Sequence, residues 1–202
     1  MIKLATTTAI ALMLAPQLGR LDTQEPIPYF IDDGKGVPGY RDSDRELAKL
    51  ALDAWSRESA GKLKFTEAKA RDSALIRFRW ISTADGLYGE TQRVQVNGKA
   101  GAIVYVMPQV SAQGEPLATR AVQDALLRDT IVYLTCVHEL GHAVGLAHTR
   151  KFEDIMYYFG FGGDIVDYFM RYRNKLQSRA DISKYSGLSP EDAQTLRALY
   201  KD

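Results

Sequence analysis

The residues whose types and spacing could do chemistry are His138, Glu139, His142 and His148. The chain has three histidines, and all of them fall in the segment Thr135–Thr149, TCVHELGHAVGLAHT. His138 and His142 are four residues apart, which on an α-helix puts both rings on one face, pointing the same way. Two imidazoles so placed can each give a nitrogen to one Zn²⁺ at about 2.0–2.1 Å. Glu139 lies beside His138 but is angled away from such an ion. A carboxylate there can hold a water against the metal without becoming a ligand. His148 comes six residues after His142, well round the cylinder if the helix continued. Gly145 stands between them, and glycine takes the left-handed conformation that ends a helix without Cβ strain. A break there would swing His148 back under the metal. Three neutral imidazoles leave a fourth position for water, the arrangement of a catalytic rather than a structural zinc site. The chemistry expected is hydrolysis by a metal-activated water with Glu139 as general base.

The elements that must position these residues are legible as patterns. Pro26 to Ile31 reads as a strand, and Asp32-Asp33-Gly34-Lys35-Gly36 as a turn. A helix is predicted from an N-cap at Ser43 to about Ser59, with Leu47, Leu50, Ala51, Ala54 and Trp55 on one face. Leu63–Glu67 and Ala74–Ile81 read as strands, the second interior to a sheet. Tyr88–Val96 and Ala102–Met107 flank the turn signal Asn97-Gly98 and read as a hairpin with Tyr88–Val96 on the sheet edge. One long helix is predicted from Ala118 through Val144, carrying the first two histidines. Asp164–Leu176 has helical character. A last helix is signalled by Ser189 as N-cap, Pro190 at the first position, and Glu191 and Asp192 in the first turn.

The 202 residues suit one domain, and a net charge of +1 without long runs of one sign gives no footprint for nucleic acid. Residues 1–20 read as a signal peptide: Met1-Ile2-Lys3 is a short positive start, and Leu4–Ala15 is an apolar stretch too short to span a bilayer comfortably. Residues 21–202 would then be the catalytic domain, secreted or held in the cell envelope (periplasm), monomeric and without stable membrane insertion. The single cysteine, Cys136, excludes an intrachain disulfide. It lies two residues before His138, about 200° round the helix, and so should face the core.

His138-Glu-x-x-His142-x-x-Gly145-x-x-His148 resembles the zinc-binding signature of the metzincins. Met156 follows His148 by eight positions in Asp154-Ile-Met-Tyr-Tyr158, similar to that clan's Met-turn, in which a methionine packs beneath the zinc site. Within the clan the likeness is strongest to the matrixins. It extends through Ala51–Ser56, Phe65–Glu67, Ala74–Phe78 and the terminal Leu188–Asp192 with Leu199-Tyr200. The resemblance implies an α+β metzincin fold. Its parts would be a twisted five-stranded mixed sheet, two long helices and an irregular C-terminal subdomain ending in a helix. It also implies a zinc-dependent endopeptidase acting on polypeptide, with His138, His142 and His148 on the metal and Glu139 catalytic. The alternatives are a catalytically inactive metzincin-fold binding protein and a zinc amidase acting on cell-envelope material.

The sequence departs from animal matrixins in ways that carry expectations. No histidines remain for a second, structural zinc, and there is no cysteine-switch propeptide. The stretch between Met156 and Leu188 is longer than expected, and its aromatic, glycine-rich start should remodel the pocket wall. Tyr158 stands two residues after the methionine, where astacins and serralysins carry a tyrosine that approaches zinc; it is expected to contact the metal or the developing oxyanion, and otherwise to line the pocket. Calcium is a further expectation, at the acidic, glycine-rich loops Asp32–Gly36 and Gly160–Asp164.

Overall fold

The chain forms five strands, β1 (Ile27–Ile31), β2 (Phe65–Glu67), β3 (Ile76–Trp80), β4 (Gly89–Val96) and β5 (Lys99–Val106), with apolar alternation of period two plainest in β3. The structure is a computed structural model that describes residues 19–82, 88–112 and 114–201. The expected signal segment therefore lies outside the described residues up to position 18. The strands form one mixed sheet in the order β2-β1-β3-β5-β4. β1 pairs in parallel with β2 and β3, and β3 with β5; only β4 runs antiparallel, beside β5. Asn97 (φ 51°) and Gly98 (φ 78°) make the two-residue turn that joins β4 to β5 and leaves β4 at the sheet edge.

Helices α1 (Asp44–Glu58) and α3 (Ala125–Ala143) carry the core. α1 buries Leu47, Ala48, Ala51, Leu52, Ala54 and Trp55, and the Trp55 indole N–H donates to Val137 O of α3 at 2.9 Å. The predicted N-cap at Ser43 does not form: its backbone is already helical and its side chain makes no capping bond. Asp44 ties down this end instead, accepting from Arg41 N at 2.9 Å and pairing both carboxylate oxygens with the buried Arg128 of α3.

The single helix predicted over 118–144 is two: α2 (Leu117–Gln123) and α3. Asp124 divides them in an extended conformation and accepts from Leu126 N and Leu127 N at 3.0 and 3.1 Å. An aspartate that caps a new helix outcompetes continuation of the old one. Likewise β2 is shorter than the predicted Leu63–Glu67, because Leu63 N is bonded to Ser59 Oγ below the end of α1.

Beyond the third histidine come α4 (Ile165–Arg173), capped by Asp164, and α5 (Pro190–Leu199). α5 begins with a reciprocal capping box between Ser189 and Asp192. Among the described residues no helix is long and apolar enough to cross a membrane.

Candidate active site

α3 supplies His138, Glu139 and His142 on its last two turns and then stops as the glycine signal requires. Gly145 has φ 108°, Gly145 N donates to His142 O at 3.0 Å, and Leu146 N reaches back to Gly141 O at 2.9 Å. These two bonds are a Schellman ending. The chain reverses there and brings His148 back to the other two imidazoles.

The Nε2 of His148 lies 3.3 Å from that of His138 and 3.1 Å from that of His142. Two nitrogens bound tetrahedrally to one zinc at about 2.0–2.1 Å would be roughly 3.3 Å apart. His138 Nδ1 is 2.6 Å from Ile155 O and His142 Nδ1 is 2.9 Å from Leu146 O. A carbonyl only accepts, so each Nδ1 carries the proton and each Nε2 presents a bare lone pair. Burial, with the neighbouring imidazoles, pulls the pKa of His138 down to about 3 and that of His148 to about 4. The rings are thus neutral at pH 7, as ligands must be. The donor set and its spacing fit one zinc ion.

Glu139 is buried, and Thr91 Oγ1 of β4 lies 2.8 Å from its Oε2 and 2.7 Å from its main-chain oxygen. Burial raises its pKa to about 7; the Thr91 bond opposes the shift and Glu90 adds to it. A cation on the triad would draw that value back down. β4 approaches α3 this closely because Gly89 has no side chain: a Cβ there would lie 2.7 Å from Glu139 Cγ.

Met156 sits where the Met-turn resemblance puts it. It is fully buried, and its sulfur lies 2.3 Å from where a Cβ on Gly141 would be, so the glycine between the two helical histidines makes room for it. The turn is tied down by Thr149 N to Met156 O (2.8 Å) and by Ile155 N to Asp192 Oδ2 of α5 (2.7 Å). Beside the triad lies a cavity of about 520 Å³ whose far wall is apolar, built from Leu134, Tyr157, Phe159, Ile165 and Phe169.

Tyr158 stacks on His148, with ring centroids 4.9 Å apart and planes 29° apart, and is 48% exposed at the cavity mouth. Its ring lies over Gly160, where any side chain would collide with it. Cys136 is fully buried away from the site, and burial pushes its thiol pKa up.

The matrixin profile of the peptidase M10 family matches residues 24–162, more than half of the chain. The chain belongs to the matrixin family. No curated protein matches it. Among solved structures it is similar to archaemetzincin from Methanopyrus kandleri, at 13% identity and a TM-score of 0.48, over 94% of this chain and 100% of that one.

As a matrixin the chain is of metallopeptidase type, and the His triad is its only group of three or more metal-ligating side chains among the described residues. The calcium expectation is not supported. The acidic loops have committed their carboxylates elsewhere: Asp32 to Arg71 and Arg79, Asp33 to Lys35, and Asp164 to the first amides of α4. Sequence reasoning did not single out Thr91, Gly89 or Asp192 for the site. Asp192 had a signal, since its capping-box position fixes where its carboxylate points. Thr91 and Gly89 had none.

Proposed function

We propose that this matrixin is a zinc-dependent endopeptidase in which His138, His142 and His148 hold the metal and Glu139 is the general base. One observation carries the reading: the three Nε2 atoms share one locus, and that locus and Glu139 border the same cavity. A zinc ion there would act as a Lewis acid, acidifying water and polarising a scissile carbonyl. The remaining work falls to the chain's own groups. Glu139, on α3 facing Thr91 of β4, takes the proton from the attacking water and passes it to the departing amine. Thr91 keeps that carboxylate facing the cavity. An extended substrate lies along the free edge of β4 and exchanges main-chain hydrogen bonds with it. The apolar wall from α4 and the segment after Met156 receives an apolar side chain of the substrate. Tyr158, beside His148 at the mouth, donates a hydrogen bond from its phenol to the oxyanion as it develops.

The test is cleavage of casein and a quenched-fluorescence peptide library by the zinc-loaded protein. Cleavage should stop with a chelator, and Glu139→Gln should lower kcat by roughly 10²–10⁴-fold with zinc still bound. A Glu139→Gln variant as fast as the wild type would sink the assignment. Zinc binding without cleavage of any peptide would favour a binding protein, and release of amide-linked wall fragments an amidase. The reading includes export through the leader at 1–20, checked by sequencing the N-terminus of material recovered outside the cytoplasm; an intact Met1 there rejects cleavage.

A further inference from the structure

We propose that Tyr168 of α4 is a positioning residue for the metal ligand His138, acting through the main-chain carbonyl of Ile155. The inference rests on the reading that the triad holds zinc. Ile155 O is the acceptor that fixes the His138 ring, at 2.6 Å from Nδ1. The same oxygen is 3.1 Å from Tyr168 Oη, which also lies 3.2 Å from Asp154 O. At the amide of the same residue, Ile155 N donates to Asp192 Oδ2 at 2.7 Å. The residue that orients His138 is therefore gripped from two helices, at its amide by α5 and at its carbonyl by α4.

Tyr168 is built to hold that place. It is 3% exposed. Its ring is wedged edge-on against Phe152, Phe159 and Phe169, and the Arg171 guanidinium lies over it at 4.4 Å. Burial drives its phenol well above the ordinary range, so the hydroxyl keeps its proton as a donor. The proton is shared between two successive carbonyls, which fixes the direction of the 154–155 backbone and not merely its distance. The ring itself borders the cavity. One side chain thus forms pocket wall with its carbons and ligand support with its oxygen. Loss of the group bonded directly to a ligating histidine, here Ile155 O, shifts metal affinity by about 10–100-fold; Tyr168 stands one bond further out and acts at the lower end of that range.

Tyr172 provides an internal control. It lies one turn further along α4 and is as buried, but its hydroxyl goes to Tyr185 O (2.8 Å) and Ile182 O (3.4 Å), away from the triad. Removing either hydroxyl is the same chemical change in the same helix. The experiment compares the wild type, Tyr168→Phe and Tyr172→Phe by zinc titration against a chromogenic chelator, with thermal unfolding of the metal-free proteins alongside. Tyr168→Phe should weaken zinc binding about tenfold or more. Tyr172→Phe should leave it within about twofold while unfolding at a similar temperature. In peptide cleavage, Tyr168→Phe should lower kcat at subsaturating zinc, with KM and the preference of the apolar pocket unchanged because the ring remains. Equal zinc affinity in Tyr168→Phe and the wild type overturns the inference while leaving the zinc site intact. So does equal weakening in both variants, which would mark a general effect of losing a buried hydroxyl. A wild type that binds no zinc overturns the metal reading and this inference with it.

Discussion

Replacing Gly89 with alanine reverses the usual consequence of that substitution. Alanine for glycine in a strand ordinarily stabilises by about 0.5–1 kcal/mol, because it restricts the unfolded chain. At Gly89 the new methyl would meet Glu139 Cγ at 2.7 Å, Tyr105 O at 2.7 Å and Thr135 Cγ2 at 3.0 Å. Tyr105 O is main chain in β5, paired along the whole of β4, and Thr135 is buried in α3. Neither gives way cheaply. Overpacking at such a point costs about 1–3 kcal/mol, so the net loss is up to about 2.5 kcal/mol. For a protein of this size that lowers Tm by up to roughly 10 °C. The most yielding of the three neighbours is the Glu139 side chain. It must retreat by several tenths of an ångström to reach ordinary contact, and that moves the carboxylate against Thr91. Misplacing a catalytic group by about 1 Å costs about 10²-fold, so kcat should fall by ~10- to 10²-fold. Calorimetry and peptide turnover on Gly89→Ala measure both. A higher Tm with unchanged kcat would refute the claim that the bare backbone of β4 sets the position of Glu139.

Three further outcomes are expected. Tyr158→Phe keeps the ring on His148 and loses only the hydroxyl, so kcat should drop by about 10²-fold with zinc affinity unchanged; unaltered turnover rejects an oxyanion role. Asp44→Ala strands the buried Arg128 guanidinium without its carboxylate and should cost about 3–5 kcal/mol in urea unfolding, and a loss under about 1 kcal/mol would show that Asp129 and the nearby carbonyls suffice. Asp181 has its pKa held below the ordinary 3.8 by Lys184 and by the amides of Ser178 and Gln177. A carboxyl whose folded pKa is depressed contributes stability above the unfolded value and loses it as pH falls through the folded one. Asp181→Ala should therefore be less stable than the wild type at pH 7, with the gap narrowing below about pH 4; a pH-independent gap would count against a charged cap.

What the sequence disclosed, and what it withheld, divides by distance along the chain. The triad was legible because its geometry is local: a four-residue helical spacing, a glycine ending and ten residues from His138 to His148. The hairpin turn at Asn97-Gly98 and the cap at Ser189 were local in the same sense. The division of the predicted long helix at Asp124 was also a local event, but apolar periodicity on both sides concealed it. Thr91 was not legible, since its importance lies in meeting Glu139, 48 positions away, across a strand–helix contact that no periodicity encodes. Gly89 and Gly141 read as ordinary glycines until the atoms that fill their missing side chains are in place. The resemblance to matrixins supplied the Met-turn, which spacing alone would have left as a buried methionine.

The side chains at the end of α3 are oriented from several segments of the chain: Glu139 from Thr91 and Gly89 of β4, and the histidines from segments that follow α3. α3 ends in the side chains that can bind metal and move a proton, yet it does not fix all of their ring orientations. His142 is set by Leu146 O, within its own helix ending. His138 is set by Ile155 O, whose residue is held at its amide by Asp192 of α5 and whose oxygen is shared with Tyr168 of α4. His148 is flanked by Tyr158, whose own placement needs the bare Gly160. The three imidazoles therefore depend on separate supports, and loosening α4 or α5 should disturb His138 first. Damage to the segment 158–160 should act on His148. A perturbation remote from the triad thus has a defined route into it, and the route passes through the same aromatic helix that walls the cavity.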